Sequence, residues 1–304
     1  MKALIFIPLF LLTLFLLPPR PAQGWYPKLA SESLLTDSLS VQTVGKNRSY
    51  ILAPGEILPE IARRCRIGYN PLVAANPGVD PWRPGDWREV LLPYRTILPT
   101  GAGPGITINL AEYRLYLIWN EDGGKRVRIY PIGIGQKGWN SPEGRFEITV
   151  KIESPSWTPP QALRQKEQDL FTIPPGSGNP LGKYWLGLSA PGFGIHGTDK
   201  PFGVGRRVSH GCIRLYSADI EDLNRLARIG MPVSIVYQPI KLALDGDTLL
   251  AQIHPDYLGR IETPLDEALR IKNGLGWRGE IDWKALERTI REARGIPVPI
   301  SKPR

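Results

Sequence analysis

A mainly β fold with some α is predicted by three observations. Gly (32) and Pro (31) make up about a fifth of the 304 residues without any period, which excludes collagen and marks a chain rich in turns. Apolar residues alternate over short runs, as at Tyr113, Leu115 and Leu117, the period of a strand. Helical spacing is confined to a few short segments between turn residues. Hydrophobic content of 42% and charged content of 22% are those of a globular protein.

Residues 1–24 carry Lys2, an apolar run from Ala3 to Leu17, and small residues at Ala22 and Gly24. That layout predicts a secretory signal cleaved after Gly24. The apolar run is short for a spanning helix, which needs roughly 20 residues; an uncleaved anchor is the alternative. No cysteine adjoins the cleavage point, so no lipid attachment is expected, and no later segment is apolar enough to span a membrane. Cleavage removes Lys2 and Arg20 and takes the net charge from +9 to +7. Such a charge serves solubility or attracts a polyanionic surface, either nucleic acid or the cell envelope; export argues against nucleic acid.

Residues 25–47 are polar and mixed and read as a linker. A compact unit follows over 48–97. Tyr50–Leu52 read as a strand, Ile57, Leu58, Ile61 and Ala62 recur at helical spacing, GYNPLVAANPGV gives a second helix, and REVLLP closes with a strand. This order resembles the LysM module, a glycan-binding βααβ fold. TGAGPG marks a boundary, and a second unit is expected over 103–240. Its strands are ITINLAEYRLYLIW, VRIYPIGIG, SPEGRFEITV, YWLGLS and PVSIVYQP. The Pro-rich stretch 155–183 is long for an idle loop and reads as a lid or channel wall. SADIEDLNRLARIG is a helix with Ser217 as N-cap, acidic residues in its first turn and Gly230 at its end. Residues 241–304 form a tail with a hairpin at LALDGDTLLAQI and helical segments after it.

The chemistry concentrates in GIHGTDKPFGVGRRVSHGCIRL, residues 194–215, which hold two of the three histidines and one of the two cysteines. As an extended segment, SHGCIRL presents His210, Cys212 and Arg214 on one face and turns Ile213 and Leu215 inward. Gly211 leaves the backbone open to a substrate. A thiol needs deprotonation to attack, and His196, returned by the Gly-rich connection, is the candidate base for a Cys212–His196 pair. No Asp or Glu is placed to orient that base, so the Gly197 carbonyl is the candidate. The N–H groups of Gly211 and Cys212 are candidates for an oxyanion hole. Ser209 and Arg214 are candidate substrate contacts, Arg214 as a two-pronged clamp on a carboxylate; a structural ion pair is its alternative. His210 is either catalytic or scaffold, His254 reads as a surface residue, and Cys65 as a small buried hydrophobe. An exported chain meets an oxidising compartment, yet Cys65 and Cys212 lie in different units and are expected to stay unbridged. A zinc site built from two His and one Cys is the rival; it lacks a nearby carboxylate and a helical His spacing.

HGT followed by SHGCIRL, with PIGIGQ, SPEGRF, SPSWTPP and NPLG in order, resembles the L,D-transpeptidase (YkuD-type) family over 103–240. NPGVDPWRPG, RVSHGCIRL and the tail resemble its periplasmic members that attach an outer-membrane lipoprotein to peptidoglycan. The resemblance implies a β-sandwich catalytic domain with a helix on one side, behind a LysM-like module. It implies that Cys212 attacks the amide between diaminopimelate and D-Ala of a peptidoglycan stem tetrapeptide, and that an amine resolves the thioester without any cofactor. It also implies acylation of the cysteine by carbapenems. A hydrolase using the same residues and a non-catalytic wall-binding protein are the alternatives.

Overall fold

The computed structural model describes residues 33–35, 43–121, 124–164 and 171–302. The expected signal (1–24) and most of the expected linker lie outside the described residues. Among the described residues no helix is long and apolar enough to cross a membrane.

The linker expectation is corrected at two places. β1 (Ser33–Leu35) pairs antiparallel with β8 (Gly124–Pro131) of the central sheet, and β2 (Thr43–Val44) pairs with β5 (Thr96–Ile97). Val44 is buried against Tyr116, Ile118 and Val127, which is why the chain is held there.

Between β2 and β5 lies a strand–helix–helix–strand unit: β3 (Arg48–Ile51), α1 (Leu58–Arg64), α2 (Tyr69–Ala75) and β4 (Glu89–Leu92). Pro59 sits in the first turn of α1, where its fixed φ suits a helix and its missing N–H costs nothing. Leu58, Ile61 and Ala62 form the inward face of α1 and close a small core with Leu72, Val90 and Leu92. Asn76 ties α2 to β4 by donating to Leu91 O (2.9 Å) and accepting from Leu91 N (2.7 Å).

The strands of the second unit are β6 (Gly105–Asn109), β7 (Arg114–Glu121), β8, β9 (Ile134–Gly135), β10 (Gly144–Glu153), β11 (Tyr184–Leu188), β12 (Gly194–His196), β13 (Arg207–Ser209), β14 (Ile213–Arg214) and β15 (Pro232–Val236). The expected single run ITINLAEYRLYLIW is broken into β6 and β7 by a 3₁₀ turn, after which Tyr113 takes a left-handed conformation (φ 56°). The order β1-β8-β7-β6-β15-β10-β11-β12-β14 makes one bent sheet. β10 makes the bend: its first half pairs with β15, its second with β11, and the register shifts between Ile148 and Val150. The two arms close on one core that includes Ile108, Leu115, Ile148, Leu186, Ile195 and Ile213. This is the sandwich expected, with α4 (Ser217–Leu226) contributing Ile220 and Leu223. α4 starts at Ser217, so Tyr216 is its N-cap residue, and it ends four residues before Gly230. Of the Pro-rich stretch, the described part holds α3 (Gln161–Arg164) and a bridge from Trp157 to Ile173. Buried Asn179 donates to the carbonyls of Pro155, Ile173 and Pro174 and so closes the loop on itself; residues 165–170 lie outside the described residues.

The tail builds its own layer: a sheet of β16 (Ile240–Asp245), β17 (Thr248–Ile253) and β18 (Val298–Pro299), covered by α5 (Pro264–Gly274) and α6 (Trp283–Glu292) around a separate core. A buried charge cluster fastens it to the sandwich. Lys241, 2% exposed, donates to Glu112 Oε2 at 2.7 Å, with Arg114 at 3.5 Å and His254 at 3.6 Å from the same carboxylate. His254 is therefore no surface residue: it is 5% exposed, covered by Gly295.

Candidate active site

The site is built where β12 runs parallel to β14, with Ile195 opposite Ile213 and His196 opposite Arg214. Ile195 and Ile213 point into the core. Alternation puts His196 and Arg214 on the other face, and Cys212, one residue before β14, lies beside Gly194, its thiol donating to Gly192 O at 3.7 Å. His196 and Cys212 are thus diagonal neighbours across the strand pair, about 8 Å apart at Cα from strand spacing and rise.

SHGCIRL is not one strand. β13 ends at Ser209 and pairs with β9, whereas β14 belongs to the main sheet. The break is at Gly211, whose φ of 108° suits glycine alone. The ring of Phe193 fills the space where a Cβ would stand. The ring of His210, before the break, meets Trp139 edge-on at 5.0 Å. One expectation falls with this geometry: Gly211 does not open its backbone to a substrate, because the residue is buried and its N–H is given to Ser209 Oγ at 3.2 Å. Ser209 in turn donates to Cys212 O at 2.6 Å, so its hydroxyl is engaged within the turn. The Cys212 N–H finds no acceptor among the described residues.

His196 is 3% exposed. Nδ1 lies 2.6 Å from Gly197 O, which fixes a proton on Nδ1 and leaves Nε2 as the acceptor. Trp185, opposite His196 across β11 and β12, stacks on the imidazole at 5.7 Å. Sequence reading passed over Trp185, although the alternation in YWLGLS aims it at the histidine's face once β11 and β12 are paired. The end of the Pro-rich stretch closes the back of the site: Leu181 O reaches the imidazole, and Gly182 lies against Gly197 and Thr198.

The resting charges of the two groups follow from their burial. Burial pushes the Cys212 thiol up, and the Gly194 N–H and the Arg214 charge only partly offset it. Burial, then the Arg214 charge, drive His196 down to about 3 against the pull of the Gly197 and Leu181 carbonyls. Both groups are therefore neutral at pH 7. Cysteine acylation should then be nearly constant between about pH 4.5 and 8, since His196 protonates only near 3. The measurement is the apparent second-order rate constant for carbapenem acylation against pH. A steep acid limb centred at 6–7 would contradict the neutral pair.

Cys212 and Cys65 are both free, and both are half-buried. Cys65 sits at the C-terminal end of α1, where burial raises its thiol.

Residues 103–235 match the L,D-transpeptidase catalytic domain family (YkuD). The chain is 36% identical over 230 residues to "Probable L,D-transpeptidase YcfS" of Escherichia coli K12, covering 72% of this chain and 71% of that protein. It is 31% identical to "Probable L,D-transpeptidase YbiS" of the same strain, over 85% of this chain and 88% of that one. It is 34% identical to "Probable L,D-transpeptidase ErfK/SrfK", over 77% and 79%. These matches run well beyond the sandwich itself, and with the Cys–His strand pair they carry one conclusion: this chain is an enzyme of the L,D-transpeptidase family.

Proposed function

We propose that Cys212 is the nucleophile and His196 the base of an acyl transfer on peptidoglycan stem tetrapeptides. The observation that carries this reading is the parallel β12–β14 pairing, which brings the strand of His196 against the segment that follows Cys212, with Nδ1 of His196 held by Gly197. Sγ attacks the carbonyl carbon between diaminopimelate and D-Ala, forming the S–C bond, while its proton moves to His196 Nε2. The C–N bond breaks, and D-Ala takes that proton as it leaves. The Cys212 N–H is the donor aimed at the developing oxyanion. An acceptor amine then attacks the thioester and gives its proton to His196, and the sulfur departs and is reprotonated. The acceptor is the side-chain amine of diaminopimelate on another stem or a lysine amine of an outer-membrane lipoprotein.

Arg214 is the substrate's carboxylate clamp: it is half-buried beside Cys212 and forms no ion pair among the described residues, though Asp199 lies near enough to favour its charge. Ser209 is a positioning residue that holds the Gly211–Cys212 turn. His210 braces the Trp139 loop. The unit over 48–97 is a LysM-like module, and the apolar start of the chain exports it to the periplasm.

Tetrapeptide-bearing muropeptides mixed with the full mature chain test this by mass. D-Ala release with a cross-linked dimer is the expected result. Tripeptide alone means that water resolves the thioester, which replaces transfer by hydrolysis. Unchanged muropeptides would overturn the reading.

A further inference from the structure

Two consecutive arginines lead into β13, and they serve opposite neighbours. Arg206 Cζ lies 3.6 Å from the ring centroid of Tyr69, at the start of α2 in the N-terminal module. Arg207 Cζ lies 4.5 Å from the ring centroid of Tyr257, in the C-terminal segment. A cation over an aromatic face at such distances is held by the ring quadrupole, more firmly where water is displaced.

Arg207 does more than stack. It donates from Nη2 to Asn140 Oδ1 at 2.8 Å and from Nε to Gly135 O at 3.3 Å. Both acceptors flank the loop that leaves β9, and that loop lies on the reactive turn. Gln136 N donates to Ser209 O at 2.9 Å, Trp139 meets His210, and the Asn140 carbonyl lies against Gly211, 3.3 Å from where a side chain there would begin. The guanidinium therefore links the strand that ends at Ser209 to the loop that covers Gly211, and Tyr257 covers the guanidinium.

Tyr257 is itself fixed. Its ring lies 5.8 Å from Tyr113 and 5.1 Å, edge-on, from Tyr237, whose hydroxyl donates to Asp256 at 2.7 Å. Arg260 stacks on Tyr237 at 5.0 Å and pairs with Glu143, just before β10, at 2.7 Å. On the other side the module grips the same connection. Tyr69 N donates to Val204 O and Asn70 N to Gly205 O, both at 3.2 Å, and Gly205 approaches Gly68 so closely that no side chain fits between them.

We propose that Arg207, seated on Tyr257, is a positioning residue for Cys212. The C-terminal segment thereby becomes a working part of the reactive site, for a chain whose catalytic sandwich holds Cys212 on a short turn between two different sheets. This rests on Cys212 being the nucleophile. A displaced nucleophile loses rate without losing ligand affinity, and a shift of about 1 Å costs up to ~10²-fold.

The test uses the full mature chain and meropenem. Acylation is followed by intact mass over a range of drug concentrations, which separates the limiting rate constant from the half-saturating concentration; thermal unfolding is recorded alongside. Arg207→Ala and Tyr257→Leu should each lower the limiting rate constant by about 10- to 100-fold, with half-saturation within about twofold of the parent. Tyr257→Phe, which keeps the ring face, should recover the rate. Trp283→Ala, on the exposed side of α6, should leave it unchanged. Should Arg207→Ala fail to fold, the Tyr257→Leu and Tyr257→Phe pair decides by the same criterion. A parent-like rate in Arg207→Ala or Tyr257→Leu, or a loss confined to half-saturation, would overturn the inference. An unacylated parent would instead overturn the nucleophile assignment, so the two failures are distinct.

Discussion

Cys212→Ala is expected to abolish D-Ala release and carbapenem acylation, while Cys65→Ala retains both. The asymmetry follows from surroundings. Cys65 lies at the end of α1, beside Tyr94, whose hydroxyl donates to the Cys65 carbonyl at 2.8 Å, and no imidazole adjoins it. Cys212 lies beside Gly194, donates its thiol hydrogen to Gly192 O at 3.7 Å and has His196 on the adjoining strand. Loss of a nucleophile in a triad-type site costs about 10⁶-fold, which takes turnover below detection. His196→Ala should follow closely, because the Gly192 carbonyl that accepts the thiol's hydrogen bond at 3.7 Å is too weak a base to take its proton. His210→Ala should cost far less, since its ring packs edge-on against Trp139. Equal losses in the two histidine variants would reverse the assignment of the base.

Glu112→Ala is expected to be the most destabilising single substitution away from the site, by about 3–5 kcal/mol. Burial alone would raise this carboxyl, but Lys241, His254 and Arg114 hold it down at about 2. Burial pulls Lys241 down to about 8 even with Glu112 beside it, and His254 falls to about 3 and stays neutral at pH 7. Removing the carboxylate leaves Lys241 and Arg114 as buried charges without their counterion. Glu112→Gln should cost nearly as much, because an amide supplies no charge. The folded carboxyl lies below its ordinary value near 4.3, so its contribution is complete above that pH and fades as pH falls towards 2. Chemical denaturation at pH 7 measures the loss; a change under about 1 kcal/mol would mean that the cluster does not act as a counterion set. The same cluster joins three segments. Gln252 accepts from Ile97 N at 2.7 Å and Thr96 Oγ1 at 3.0 Å while donating to Gly295 O at 2.8 Å.

What was legible in the sequence was local. Helical spacing in ILPEIARR and the Asn-Pro-Gly stop yielded the module's order, and alternation located most strands of the sandwich. HGT and SHGCIRL announced the site because Gly, His and Cys have few structural reasons to gather so densely. What was not legible depends on pairing between distant segments. Lys241 and Glu112 are 129 residues apart, and no spacing rule connects them. His254 looked like a surface residue because its cover, Gly295, comes 41 residues later in the chain. Trp185 acquires its place over His196 only from the register of β11 with β12. The extended reading of SHGCIRL failed at a single torsion: alternation assumes negative φ throughout, and Gly211 has 108°.

The most direct test of the reactive pair is the location of the acyl group. Protein mixed with a stem tetrapeptide, quenched in acid and fragmented should carry the tripeptide acyl mass on the segment containing Val208–Arg214, at Cys212. The adduct should disappear when an acceptor amine is supplied before the quench. An acyl group found on Cys65, or turnover without any acylated fragment, would contradict the account.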